Sequence, residues 1–185
     1  MKFPPLFIAL TVLAGIPPTG AKAGEAWQTK LLEELPLLGR GNWIVVVDAA
    51  YPWQVAPGME MVETNADAPD VINTVLKAIS AFPHVQPIFY SDAELPFVSE
   101  TDAPGISAYR ATLQNMLTGK PAQSLPQTQI LAQMEEAGQA YHVLVLKTRL
   151  TLPYTALFMQ LQSGYWNDVA EQRLRAAMSK AAPAQ

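Results

Sequence analysis

Residues 37–52 read LLGRGNWIVVVDAAYP, and this stretch decides the fold. A tight turn at Gly39, Arg40, Gly41 and Asn42 leads into an apolar run from Trp43 to Val47, which ends on a carboxylate, Asp48. A valine-rich run of that length, bounded by Gly and Asn, is the pattern of a fully buried strand. A charged side chain where such a strand emerges is costly to desolvate unless something uses it. Two readings of Asp48 stand side by side. With small Ala49 and Ala50 beside it and Tyr51, Pro52 and Trp53 following, Asp48 is the floor of a small-molecule pocket. Alternatively it caps the next turn through its own backbone.

Working outward, Trp27, Leu31, Leu32, Leu35 and Leu38 recur at helical spacing over residues 25–38, stopped by Pro36 and Gly39. A loop over 51–60 precedes a short strand at 59–64. Pro69 suits the first turn of the next helix, with Asp70 at the positive end of its dipole. Val71, Ile72, Val75, Leu76 and Ile79 then repeat at helical spacing until Pro83. A strand is expected over 85–90, an acidic loop over 91–105, a helix over 106–117, a loop over 119–126 and a helix over 128–137. A second valine- and leucine-rich strand follows at 141–146, then an apolar segment at 155–161, a polar helix at 171–178 and a frayed tail from Ala181. Helices alternating with short buried strands predict an α/β fold: a single-domain αβ sandwich around a mostly parallel sheet. No period of 20–50 residues repeats.

The 185-residue chain is half apolar and only 15% charged, enough for one domain with a sizeable core and unlike a disordered chain. Its start has the layout of a secretory leader: Lys2, an apolar region from Phe3 to Ile16, Pro17-Pro18, and an Ala21-Lys22-Ala23 cleavage site. The expected organisation is therefore a signal peptide over 1–23 and one domain over 24–185, periplasmic or secreted. Cleavage removes Lys2 and Lys22 and no acid, which takes the net charge from −4 to −6. Without a basic patch, nucleic acid is not an expected partner, and no membrane contact is expected after cleavage. The absence of cysteine excludes disulfides and thiolate metal sites.

No nucleophile elbow, phosphate loop, dinucleotide fingerprint or H-E-x-x-H pattern is present. The two histidines, His84 and His142, lie far apart in sequence without a second ligand at metal spacing, so no metal is expected. Asp92, Glu94, Glu100 and Asp102 lack the pattern of a calcium loop and read as a solvated segment. The methionines read as core filler. Trp53, near Asp48, is read either as a stacking face for a sugar or as a buried anchor for its loop.

Three segments resemble a known family, that of ribose pyranase and fucose mutarotase (RbsD/FucU). LLGRGNWIVVVDAAYP is similar to the family's L-G-H-x-D-x-(apolar)-D-A-x-x-P. VLVLKTRLTLPYTALFMQL, residues 143–161, is similar to its apolar strand, T-G-E, Pro-Tyr-x-Asn and final strand; AYRATL at 108–113 also resembles it. The resemblance spans residues 31–161. It implies a cofactor-free enzyme that interconverts ring forms or anomers of a free monosaccharide, working as a homo-oligomeric ring with the site near a subunit boundary. Such chemistry needs a base for the anomeric hydroxyl proton and an acid for the ring oxygen.

Carried over by position, Asp48 matches the family's pocket aspartate and Tyr154 its sugar-contacting tyrosine. These two are the expected catalytic pair, with Arg40, Asn42, Tyr51 and Trp53 as expected substrate-binding residues. Pro52, Thr148 and Pro153 match at structural positions. The departures are equally specific. The family histidine falls on Arg40, the acid two residues later on Asn42, the glycine and glutamate of T-G-E on Arg149 and Leu150, and the asparagine on Ala156. Arginine stays protonated, so Arg40 serves as a clamp for a hydroxyl or an anion and not as a base. Two function classes follow: a sugar mutarotase or pyranase built on Asp48 and Tyr154, or a non-catalytic sugar-binding or scaffold protein. An Arg40–Asp48 ion pair is the structural alternative, although the two residues flank opposite ends of one strand.

Overall fold

The computed structural model describes residues 23–120 and 122–181. The leader expected over 1–23 lies, but for its last residue, outside the described residues, as does the tail beyond Ala181. Among the described residues six strands form one sheet: β1 (Trp43–Val47), β2 (Met59–Glu63), β3 (Val85–Asp92), β4 (Ala122–Leu125), β5 (Val143–Lys147) and β6 (Leu157–Ser163). Five helices among the described residues accompany them: α1 (Ala23–Glu34), α2 (Ala68–Ser80), α3 (Ile106–Met116), α4 (Gln127–Ala140) and α5 (Asp168–Ala181).

The sheet order is β2-β5-β1-β6-β3-β4. β1 and β2 run parallel to β5, and β4 runs parallel to β3, while β6 is antiparallel to both β1 and β3. The sheet is thus mostly parallel, as expected, with one reversed strand near its centre. Burial on both faces explains why β1 and β5 read as continuous apolar runs rather than alternating ones. All five residues of β1 are buried. Ile44 and Val46 join Leu144, Leu146, Leu157 and Met159 on one face, packed under α1, α2 and α3. Trp43, Val45 and Val47 join Val143, Val145 and Phe158 on the other, packed under α4 through Ile130 and Met134. Trp43 also stacks on Tyr90, ring centroids 5.6 Å apart.

The turn before β1 forms as its residues suggest. Gly41 takes φ of 95°, open to glycine at little cost. Asn42 Oδ1 accepts the Gly39 N–H at 2.7 Å. α2 begins at Ala68 with Pro69 in its first turn, and buries Val71, Ile72, Val75 and Ile79. At Gly58 backbones approach closely: a Cβ there would lie 2.1 Å from the Tyr141 carbonyl oxygen.

Two expectations are corrected. The segment 119–126 is not all loop, because Ala122–Leu125 pairs with Phe89–Asp92 as edge strand β4. Its sequence, AQSL, has no alternation and no β-branched residue, so only the exposed edge of β3 makes it a strand. The acidic segment 91–105 is likewise not a uniform solvated loop. β3 runs on through Asp92, a 3-10 turn covers Leu95–Phe97, and Asp92 is only 1% exposed.

Candidate functional site

At the end of β1 the chain turns sharply. Asp48 Oδ1 accepts the Ala50 N–H at 2.8 Å, and the Asp48 carbonyl accepts the Tyr51 N–H. The capping reading of Asp48 is therefore realised by one oxygen. The other takes no hydrogen bond among the described residues. Capping and pocket readings are compatible, because a carboxylate has two oxygens to give.

A second segment is stitched to this turn. The Thr148 N–H and hydroxyl both donate to the Val47 carbonyl, and the Ala49 N–H donates to the Leu150 carbonyl at 2.7 Å. The chain from Thr148 to Thr155 then crosses the end of the sheet and enters β6. Tyr154 holds φ of 56°, a left-handed conformation that costs an L-residue about 1–2 kcal/mol. Its neighbour Thr155 clamps it on both sides: the Thr155 hydroxyl donates to the Leu152 carbonyl, and the Thr155 carbonyl accepts the buried Tyr109 hydroxyl at 2.7 Å.

The two segments face each other across a pocket of about 570 Å³ lined by Asp48 to Pro52, Thr151 to Tyr154, and Gln127 and Leu131 of α4. That volume lies in the range of small-molecule sites. Tyr51 is buried; Gln54 donates to its hydroxyl, which also meets Met134 Sδ, and Lys147 Nζ donates to its carbonyl at 3.0 Å. Burial pushes the Tyr51 phenol up, with the charges of Asp92 and Asp48 adding to it, so Tyr51 stays a neutral hydroxyl.

Of the residues singled out from sequence, Asp48, Tyr51 and Tyr154 come together here. Trp53 does not line this pocket. It is 78% exposed and borders neighbouring depressions with Met61 and Arg149 on one side and Gln54 and Leu131 on the other. Arg40 and Asn42 sit at the opposite end of β1. Asn42 is spent on the turn and on the His142 carbonyl, and Arg40 is exposed beside Trp166 and Glu171. No Arg40–Asp48 ion pair exists among the described residues, since an extended five-residue strand separates them by roughly 17 Å. Leu150 packs against the core and Ala156 is buried within it, so these two departures from the family pattern are apolar packing positions.

The residue that sequence reasoning missed is Asp92, the last of β3. Both its carboxylate oxygens are buried and take no hydrogen bond of good geometry, although the Ala156 N–H and the Gln127 side chain lie close enough to act on the charge. Burial pushes its carboxyl up from the ordinary 3.8 to about 7, and the charges of Glu94 and Asp48 push the same way. The backbone N–H of Ala156 and the Gln127 side chain oppose the shift without cancelling it. Its one sequence signal is the short apolar stretch Ile88-Phe89-Tyr90 just ahead of it, weaker than the unbroken run before Asp48.

Two other features compete as sites. Glu34, Glu60 and His142 bring ligand atoms within 4.8 Å of one another, a spacing that could hold a metal ion. Lys30 Nζ already lies 2.8 Å from Glu34 and 2.7 Å from Glu60, closing the cluster as an ion-pair network. Burial alone would raise Glu34, but hydrogen bonds from Lys30 and His142 hold its carboxyl below the ordinary range. A second pocket of about 570 Å³, beside α2 and β3, is walled by Leu76, Ile79, Phe82 and Ile88 and offers little to a polyol.

With the geometry in place, comparison with solved structures decides the architecture. Bacillus subtilis RbsD, solved with D-ribose, superposes over 72% of this chain and 92% of its own with a TM-score of 0.53 at 14% identity. The chain has the RbsD-like fold. The fucose mutarotase of Streptococcus pneumoniae, solved with L-fucose, matches 72% of this chain and 91% of its own at 19% identity with a TM-score of 0.49. No protein-family model matches the sequence, and no curated protein matches it by sequence. The fold that the sequence resemblance implied is the fold observed.

Proposed function

We propose that the protein binds a free monosaccharide between Asp48 and Tyr154 and accelerates interconversion of its anomers or ring forms. The observation that carries this is the pocket itself. A carboxylate with an oxygen to spare, two tyrosines and an amide converge on it from separate segments of an RbsD-like fold. Asp48 takes the anomeric hydroxyl proton, Tyr154 packs on or bonds to the ring, and Gln127 offers donor and acceptor to a neighbouring hydroxyl. No cofactor is invoked. The same reading takes the protein as exported and as a homo-oligomer.

One observation favours the alternative, a binding or scaffold protein without turnover. Among the described residues Asp48 is the only carboxylate lining the pocket, because Leu150 and Ala156 are core residues and Arg40 stands at the far end of β1. Saturation-transfer NMR with ribose, fucose, galactose and glucose separates the two. Accelerated exchange that Asp48→Asn abolishes supports the enzyme. Binding without acceleration supports the scaffold, and neither binding nor acceleration refutes both.

A further inference from the structure

Asp92 is the least explained polar group of the described fold. It is 1% exposed, and neither oxygen takes a hydrogen bond of good geometry, the Ala156 N–H and the Gln127 side chain being its nearest donors. An unpaired buried carboxylate is costly, and an amide or an aliphatic side chain in its place would cost less. Its position is defined by the sheet. β1 and β3 flank β6, with Val46 and Ser91 both level with Leu157. Asp48 and Asp92 therefore emerge at the same end of the sheet, on strands ~10 Å apart. Alternation from Tyr90 turns Asp92 toward the α4 face, beside Gln127 and the Ala156 N–H. The other groups acting on it or answering to it are Glu94 just beyond β3, Tyr51 after β1 and Tyr109 on α3. Glu94 itself is committed, its carboxylate accepting the Gln127 N–H at the start of α4.

We propose that Asp92 is a positioning residue for Asp48: a carboxyl walled in behind Gln127 and Tyr51 that keeps the proton of the pair, so that Asp48 is the ionised base facing the sugar. The proposal rests on the reading of the pocket as a sugar site. Two coupled carboxyls whose surroundings differ divide into a proton holder and a base. Burial sets the holder: Asp92 is 1% exposed, while Asp48 lines the pocket with one oxygen to spare. In the reaction Asp48 removes the anomeric hydroxyl proton, the C1–O1 double bond forms, the ring C–O bond breaks, and the ring oxygen takes a proton from water. Reclosure returns each proton, and nothing is consumed. Ionisation of Asp92 places a second negative charge behind the pocket and disfavours the anionic transition state.

The test has two readouts on the purified protein. Carboxyl-detected ¹³C NMR titration follows Asp48 directly, without sugar. The expected result is a second inflection of the Asp48 resonance near pH 7 that is absent in Asp92→Asn. A single Asp48 transition that Asp92→Asn leaves unchanged overturns the proposal whether or not sugar is turned over. The second readout is the pH profile of anomer exchange for the sugar that responds best. Its rate falls to a lower plateau as pH rises through neutrality in the wild type, and this limb disappears in Asp92→Asn. Retention of the same limb by the variant also overturns the proposal. Asp48–Asp92 coupling by NMR without acceleration of any sugar supports the pairing and counts against the sugar reading instead.

Discussion

Replacing Asp92 by Asn should stabilise the fold at alkaline pH and do progressively less as pH falls. The sign follows from the direction of the shift. The folded-state carboxyl is raised from 3.8 to about 7, so between those values the folded protein binds the proton more tightly than the unfolded chain. Stability from this group is intact below pH ~4, falls as pH rises through about 7, and is level above that. At ~1.36 kcal/mol per pH unit the full shift sets a ceiling of about 4 kcal/mol, which relaxation and water entry reduce to ~2. Asn keeps the volume and removes the charge, although its own amide then needs partners in the same place. Urea unfolding of both proteins at pH 4.5, 6 and 8 gives the difference in unfolding free energy at each pH. Glu34 and Glu100, whose carboxyls are held low, contribute equally to both proteins and cancel. The expected stability advantage of the variant grows by ~2 kcal/mol from pH 4.5 to 8. A difference that stays constant across that range would show that Asp92 titrates as an ordinary surface acid, and the burial argument would fail.

Gly58→Ala should cost ~2–4 kcal/mol in urea unfolding, because a Cβ 2.1 Å from the Tyr141 carbonyl forces apart the backbones joined by the Gly58–Gly138 and Val143–Gly58 hydrogen bonds. A loss below 0.5 kcal/mol, within the ordinary surface range, would refute the close approach. Tyr109→Phe leaves the Thr155 carbonyl without its buried donor and should cost ~1–3 kcal/mol while weakening sugar affinity through the loosened Tyr154 segment; calorimetric titration checks the second effect. At position 154, with φ of 56°, Gly should be about 1 kcal/mol more stable than Ala in thermal unfolding, yet both should lose sugar binding. Trp53→Ala, at a side chain 78% exposed, should change stability by less than about 0.5 kcal/mol and leave affinity at the Asp48 pocket as it was.

The amino-acid sequence by itself determined the elements whose cause is local. WIVVV and VLVLK declare strands buried on both faces, and the Gly39–Asn42 turn and Pro69 set their own backbone angles. Asp48 and Tyr51 stand out because a carboxylate ends an apolar run just before an aromatic turn, whereas Tyr154 is singled out through the family resemblance; the structure places all three along one pocket. Only the tertiary structure decided the rest. AQSL becomes β4 because β3 has an edge to pair, a fact about a strand some thirty residues away. Arg40 and Asn42 part company with Asp48 because five extended residues carry the chain across the sheet. Asp92 passes from an apparently solvated acid to a buried one because β4 pairs beside it and Ala156 and Gln127 lie against it. Conformation is set by neighbours along the chain, whereas burial and proton affinity are set by neighbours across it, which only the completed sheet supplies.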